Sequence, residues 1–136
     1  MLYLLDTDIA SYIINSRSPL AASRFNMIPP SQLAVSAVTK AELLYGMRRV
    51  PAHHRLQTAI PEFLRTIRVL AWEPEAAEYY ADMRHQLTST GQPIGEMDMM
   101  IASHALALGA TLVTNNIRHY GRIEAPLTLV NWAQPA

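Results

Sequence analysis

The chain has 136 residues, half of them hydrophobic, with eleven basic residues balancing eleven acidic ones and no cysteine. That hydrophobic share excludes a disordered polymer, and the length suits one domain over 1–136 burying about two-thirds of its unfolded surface. The lack of cysteine excludes a disulfide framework and a thiolate zinc site and fits a reducing cytoplasm, while zero net charge offers no global field for nucleic acid.

Residues 2–5 read as a short buried strand ended by Asp6-Thr7-Asp8, with no basic leader that would make the start a signal peptide. A helix is expected over about 8–15, a loop at Ser16 to Pro19, and a second helix over 20–27 stopped by Pro29-Pro30. Leu33 to Ser36 is the second strand. Thr39-Lys40-Ala41-Glu42 matches the capping-box pattern, which would start a helix there and run it to Arg49. The stretch from His53 to Ile67 has a helical pattern, with Pro61 expected to break or kink it.

Arg68 to Trp72 is a third strand, and Pro74 opens a helix to Thr88 with Ala77, Tyr80, Ala81, Arg84 and Leu87 at helical spacing. After the loop Gly91 to Gly95, a helix runs from Glu96 to Leu108 and ends at Gly109. Thr111 to Asn115 and Leu127 to Trp132 are the last two strands. This alternation, without repeats or linkers, argues for a parallel sheet covered by helices on both faces. Ligands in such folds sit at the carboxyl ends of the strands. No run of about eighteen apolar residues exists, so no membrane span is expected.

Asp6 ends the first strand, Glu42 and Asp98 fall in first turns of helices, and Asn115-Asn116 lie where the fourth strand ends. A parallel sheet brings these positions to one edge. Clustered carboxylates repel unless a cation neutralises them, and hard oxygen donors of this kind suit magnesium or manganese. Each residue also has a structural alternative: Asp6 or Asp8 as a helix cap, Glu42 as the capping-box acid, Asp98 as a complement to the helix dipole.

The segments Leu4-Leu5-Asp6-Thr7-Asp8, Ser36-Ala37-Val38-Thr39-Lys40-Ala41-Glu42-Leu43, Gly91 to Asp98 with Ile101-Ala102, and Leu112-Val113-Thr114-Asn115-Asn116 resemble, in order and spacing, the PIN-domain nucleases. The likeness is strongest to the VapC toxins of bacterial toxin–antitoxin pairs. The resemblance implies a three-layer α/β/α sandwich with a mainly parallel sheet. It also implies a magnesium- or manganese-dependent RNA endonuclease that inhibits translation and growth, usually as a homodimer in the cytoplasm. A VapB-type antitoxin would silence it and would carry any operator-DNA binding. By position, Asp6, Glu42 and Asp98 would hold the metal, with Thr114 supporting them.

Two positions depart from that family's pattern. Asn116 stands where an aspartate is frequent, and Asp8 where asparagine is usual. A neutral amide leaves a second metal site open to question, and Asp8 either compensates or caps a helix. The Gly-Gln-Pro-Ile-Gly and Thr-Asn-Asn segments resemble members that cut initiator transfer RNA in the anticodon region.

Two other readings stand beside this one. Leu4-Leu5-Asp6-Thr7-Asp8 also resembles the opening of haloacid-dehalogenase phosphatases, but Ala10 stands where those want threonine or valine. Lys40 is the sole lysine and Glu124 the only acid after Asp98, so the lysine and late acids of that family, and of response-regulator receivers, are missing. No Gly-x-x-x-x-Gly-Lys-Ser/Thr segment exists. A degenerate PIN fold acting only as a binding module is the non-enzymatic reading.

Of the remaining polar residues, adjacent His53 and His54 would point about 100° apart on a helix and share no ion. His104 is expected to be a satisfied packing residue and His119 a surface residue. Arg48, Arg49 and Arg55 form the densest basic run, either a solvated helix end or an RNA-backbone contact. Ten of the eleven basic residues are arginine, which suits bidentate phosphate contacts and equally a codon bias. Met27, Met97, Met99 and Met100 are expected to fill core or dimer-interface gaps.

Overall fold

The computed structural model describes residues 1–135. Its strands are β1 (Tyr3–Leu5), β2 (Leu33–Ser36), β3 (Arg68–Leu70), β4 (Thr111–Val113) and β5 (Leu129–Val130), all parallel in the order β3-β2-β1-β4-β5. Helices α1 (Thr7–Ile14), α2 (Pro19–Met27), α3 (Ala37–Arg48), α4 (Leu56–Thr66), α5 (Pro74–Ser89), α6 (Glu96–Leu108) and α7 (Ile117–Tyr120) cover the sheet. A 3₁₀ turn at Pro30–Gln32 leads into β2.

The period of two along each strand divides the core. Leu4, Ala34 and Leu112 face one layer with Met83, Leu87, Ile101 and Ala105 of α5 and α6. Leu5, Leu33, Val35 and Val113 face the other with Ile9, Ala21, Ile60 and Phe63 of α1, α2 and α4. The result is the three-layer α/β/α sandwich that the alternation implies, with every strand pair parallel.

Four local expectations need correction. Helix α3 begins at Ala37 and is capped by Ser36, whose Oγ accepts from Val38 N at 3.1 Å. Strand pairing sets that boundary: Leu33 to Val35 are in register with Tyr3 to Leu5, and the chain turns directly from sheet to helix. Thr39 is therefore not a cap, and Glu42 lies in the second turn. Pro61 sits inside a continuous α4, where Ile60 and Phe63 are buried against the sheet. Losing the one hydrogen bond that Pro61 cannot donate is offset by packing on both sides of it.

Strands β3 and β5 are shorter than expected, ending at Leu70 and spanning only Leu129–Val130, and β4 stops at Val113. Helix α7, a single turn after β4, has too few residues to show a period. Gly109 ends α6 in the left-handed conformation at φ 64°, a geometry that favours glycine. No helix of the described residues is long and apolar enough to cross a membrane.

Candidate active site

The chain reverses direction across the sheet between β1 and β4, the switch point where open parallel sheets form a crevice. Asp6 leaves β1 at this point and is 2% exposed. One of its oxygens, Oδ1, accepts from Ile9 N at 2.9 Å, and the other, Oδ2, accepts from Thr114 Oγ1 at 2.5 Å. Asp6 is thus the N-cap of α1 and part of the acidic cluster at once. Thr114, fully buried at the exit of β4, also accepts from Asn116 N at 2.9 Å.

Asp8 is exposed in the first turn of α1 and caps nothing. Its Oδ2 accepts from Asn116 Nδ2 at 2.8 Å. The Asp6–Thr114 and Asp8–Asn116 bonds each join residues 108 positions apart. Strands β1 and β4 pair with that same offset, from Tyr3 with Thr111 to Leu5 with Val113. The register of the sheet therefore continues into the side chains of the site.

Glu42 comes from α3 on the same face as Thr39, three residues earlier. Its Oε1 accepts from Thr7 Oγ1 at 2.5 Å, and the Thr7 and Thr39 hydroxyls lie 3.1 Å apart. Asp98 lies in the first turn of α6, after Gly95. Beside it stands Tyr120, 1% exposed, whose hydroxyl closes no hydrogen bond of ordinary geometry among the described residues.

The electrostatics describe an unneutralised cluster. Burial, with a smaller push from Asp8 and Asp98, raises the Asp6 carboxyl to about 7 against the pull of its two hydrogen bonds. Burial also raises Glu42, with Asp98 and Asp8 adding to the shift. Asp98 is raised by burial and by Asp8, while Tyr120 and His119 pull it down. Tyr120 is raised by burial and by the surrounding acids. Among the described residues no three acids are gathered around a common point, so the cluster would have to close up around an ion. Its donor chemistry, carboxylate oxygens with hydroxyl support, fits a hard divalent cation.

Sequence reasoning missed Thr7, Thr39 and Tyr120. Thr7 lies between the two acids of the Asp-Thr-Asp motif, a position that could have identified it. Tyr120 follows β4 in a turn without periodicity. His104 is only half satisfied: its Nδ1 lies 2.8 Å from Ser36 Oγ, but its Nε2 has no partner among the described residues, and burial lowers its pKa. His54 Nδ1 accepts from Leu56 N at 3.1 Å just before α4, and His119 is exposed.

Arg55 reaches back to Ile14 O and Asn15 Oδ1, tying α4 to the end of α1 rather than standing free. Arg48 and Arg49 are exposed, with Arg49 over the Tyr45 ring. Met99 is core and Met100 packs against it, whereas Met27 and Met97 are exposed.

The sequence profile described as the PIN domain matches residues 3–124. Ribonuclease VapC2 of Haemophilus influenzae (strain ATCC 51907 / DSM 11121 / KW20 / Rd) is 37% identical over 130 residues, 96% of this chain and 97% of that protein. The tRNA(fMet)-specific endonuclease VapC of Shigella flexneri is 34% identical over 121 residues, 89% of this chain and 91% of the relative. Among solved structures, VapBC2 from Rickettsia felis bound to a DNA fragment from their promoter superposes with a TM-score of 0.88. It shares 34% identity and covers 97% of this chain and 99% of that one.

Proposed function

The chain belongs to the PIN-domain family, and from that premise we propose that it is a VapC-type toxin: a magnesium-dependent endoribonuclease held silent by a VapB-type antitoxin. The observation that carries this reading is the coupled acid cluster at the β1–β4 switch point, with Asp6 raised to about 7. A divalent cation would relieve the mutual repulsion of such a cluster and displace the protons that burial holds on it.

Asp6, Glu42 and Asp98 would hold the ion, magnesium or equally manganese. When bound, it supplies the charge that activates a water and steadies the departing oxygen of a phosphodiester. Thr114 keeps Asp6 in place from one side and Ile9 N from the other. Thr7 orients Glu42 toward the cleft. The family match sets the phosphatase alternative aside.

The relatives named as tRNA(fMet)-specific endonucleases support initiator transfer RNA as the substrate, and in this reading the cut falls in the anticodon region. Solved VapBC structures bound to DNA support a VapB-type antitoxin partner; in this reading the antitoxin carries the operator contact and the chain pairs as a homodimer. Growth arrest through lost translation would follow in the cytoplasm, where the RNA is.

The test is cleavage of purified initiator transfer RNA by the isolated chain, with 5′-end mapping, in magnesium and in EDTA. One cut in the anticodon loop, lost in EDTA and in Asp98→Asn, is expected. Binding of RNA without cleavage under any divalent ion would favour the degenerate binding module.

A further inference from the structure

Asp8 has no structural duty in the helix that carries it. Asp6 takes the capping position of α1, leaving Asp8 exposed in the first turn, where an aspartate without a role would be free in solvent. Instead one of its oxygens is held by Asn116. An ionised carboxylate only accepts hydrogen bonds, so the amide nitrogen of Asn116 must face it. Its other oxygen has no protein partner among the described residues.

Asp8 is also tied to the cluster through Asn116, whose backbone N donates to Thr114 Oγ1 at 2.9 Å while that hydroxyl donates to Asp6 at 2.5 Å. The buried Tyr120 hydroxyl, unpartnered and beside the same acids, is a second sign that the cleft awaits a polar occupant.

We propose that Asp8 is a fourth acid of this metal site and that Asn116 is the positioning residue that holds it, the two side chains being interchangeable. The proposal rests on the nuclease reading above. Aspartate and asparagine have the same shape, so exchanging them reverses the direction of one hydrogen bond and keeps it. The exchange also keeps one negative charge at the mouth of the cleft, moved across a 2.8 Å contact. Single changes do neither: D8N loses the charge, and N116D sets two carboxylates face to face.

The experiment measures Mn²⁺ affinity, from the resonance of free Mn²⁺, on the full chain and on D8N, N116D, D8N/N116D and D98N. Melting in EDTA is followed in parallel. D8N is expected to bind Mn²⁺ about tenfold more weakly or worse. It should melt higher without metal, because repulsion is relieved, a pair of opposite signs that a purely structural residue would not produce. N116D is expected to melt lower in EDTA. The double exchange should return affinity to within about threefold of the unmodified chain.

Wild-type affinity in D8N, or an exchange as weak as D8N, overturns the proposal. If D98N is weakened while D8N is not, only the role of Asp8 falls. If the unmodified chain binds no Mn²⁺, or D98N binds it fully, the nuclease reading falls and takes this inference with it.

Discussion

The acids of the site are carried in two ways. Asp6 leaves a central strand, is buried, and has a protein hydrogen bond on each oxygen. Glu42 and Asp98 project from helices and are half-buried; Glu42 accepts from the single hydroxyl of Thr7, and Asp98 lies beside Tyr120. A strand end inherits its position from the sheet register, whereas a helix-borne acid moves with its helix. In the proposed site Asp6 is therefore the fixed point, and Glu42 and Asp98 would be the parts that close on an ion.

The largest expected effect breaks the fixed point. Asp6→Ala should reduce RNA cleavage to background and abolish Mn²⁺ binding, as read by gel assay and metal titration. Asp98→Asn should also stop cleavage, yet leave circular dichroism unchanged and raise the EDTA melting midpoint. Equal activity in either variant and the unmodified chain would dissolve the distinction. Glu42→Gln isolates charge alone, since Ser36 and not Glu42 completes the cap of α3.

A smaller effect sharpens the adjustable side. Thr7→Val removes the hydroxyl that orients Glu42 and should reduce activity and metal affinity by about 10–100-fold, with Thr7→Ser restoring most of both. If Thr7→Val acted through folding alone, its metal affinity would be unchanged in the folded fraction.

The third prediction concerns pH. The folded carboxyl of Asp6 is raised to about 7 from 3.8, so the native state binds more protons across that window. This stabilisation is complete below the unfolded value and is lost as pH rises through the folded one. Glu42 and Asp98 act in the same direction. In EDTA the melting midpoint should fall between about pH 5 and about pH 8, and excess magnesium should remove that fall. A flat profile in EDTA would mean the acids are not coupled as described.

The smallest effect lies outside the cleft. Ser36→Ala removes the cap of α3 and the partner of His104 Nδ1, destabilising the fold by about 1–2 kcal/mol in urea titration.

The strand–helix alternation and the sheet edge were readable from the chain, because apolar runs and breakers are local signals. Asp6 and Asp98 could be placed at that edge for the same reason. Where reading failed, a distant element decided the outcome. Thr39-x-x-Glu42 has the form of a capping box, but pairing of β2 with β1 moves the cap back to Ser36. Pro61 is a local breaker overruled by the burial of Ile60 and Phe63. Thr7, Thr39 and Tyr120 act only through contacts across the fold, and no pattern of neighbours encodes those. Asp8 and Asn116 drew notice as departures from a family pattern, but only geometry shows that they touch.

The shared offset of 108 positions has a consequence for how this sequence can change in length. An exposed loop such as that at Arg17 can gain or lose residues without the acids registering it, because pairing and not contour length sets their alignment. Within 5–8 and 113–116 the tolerance vanishes. One residue added there keeps the strands paired while rotating Asp8 away from Asn116, leaving an intact fold with a miswired mouth.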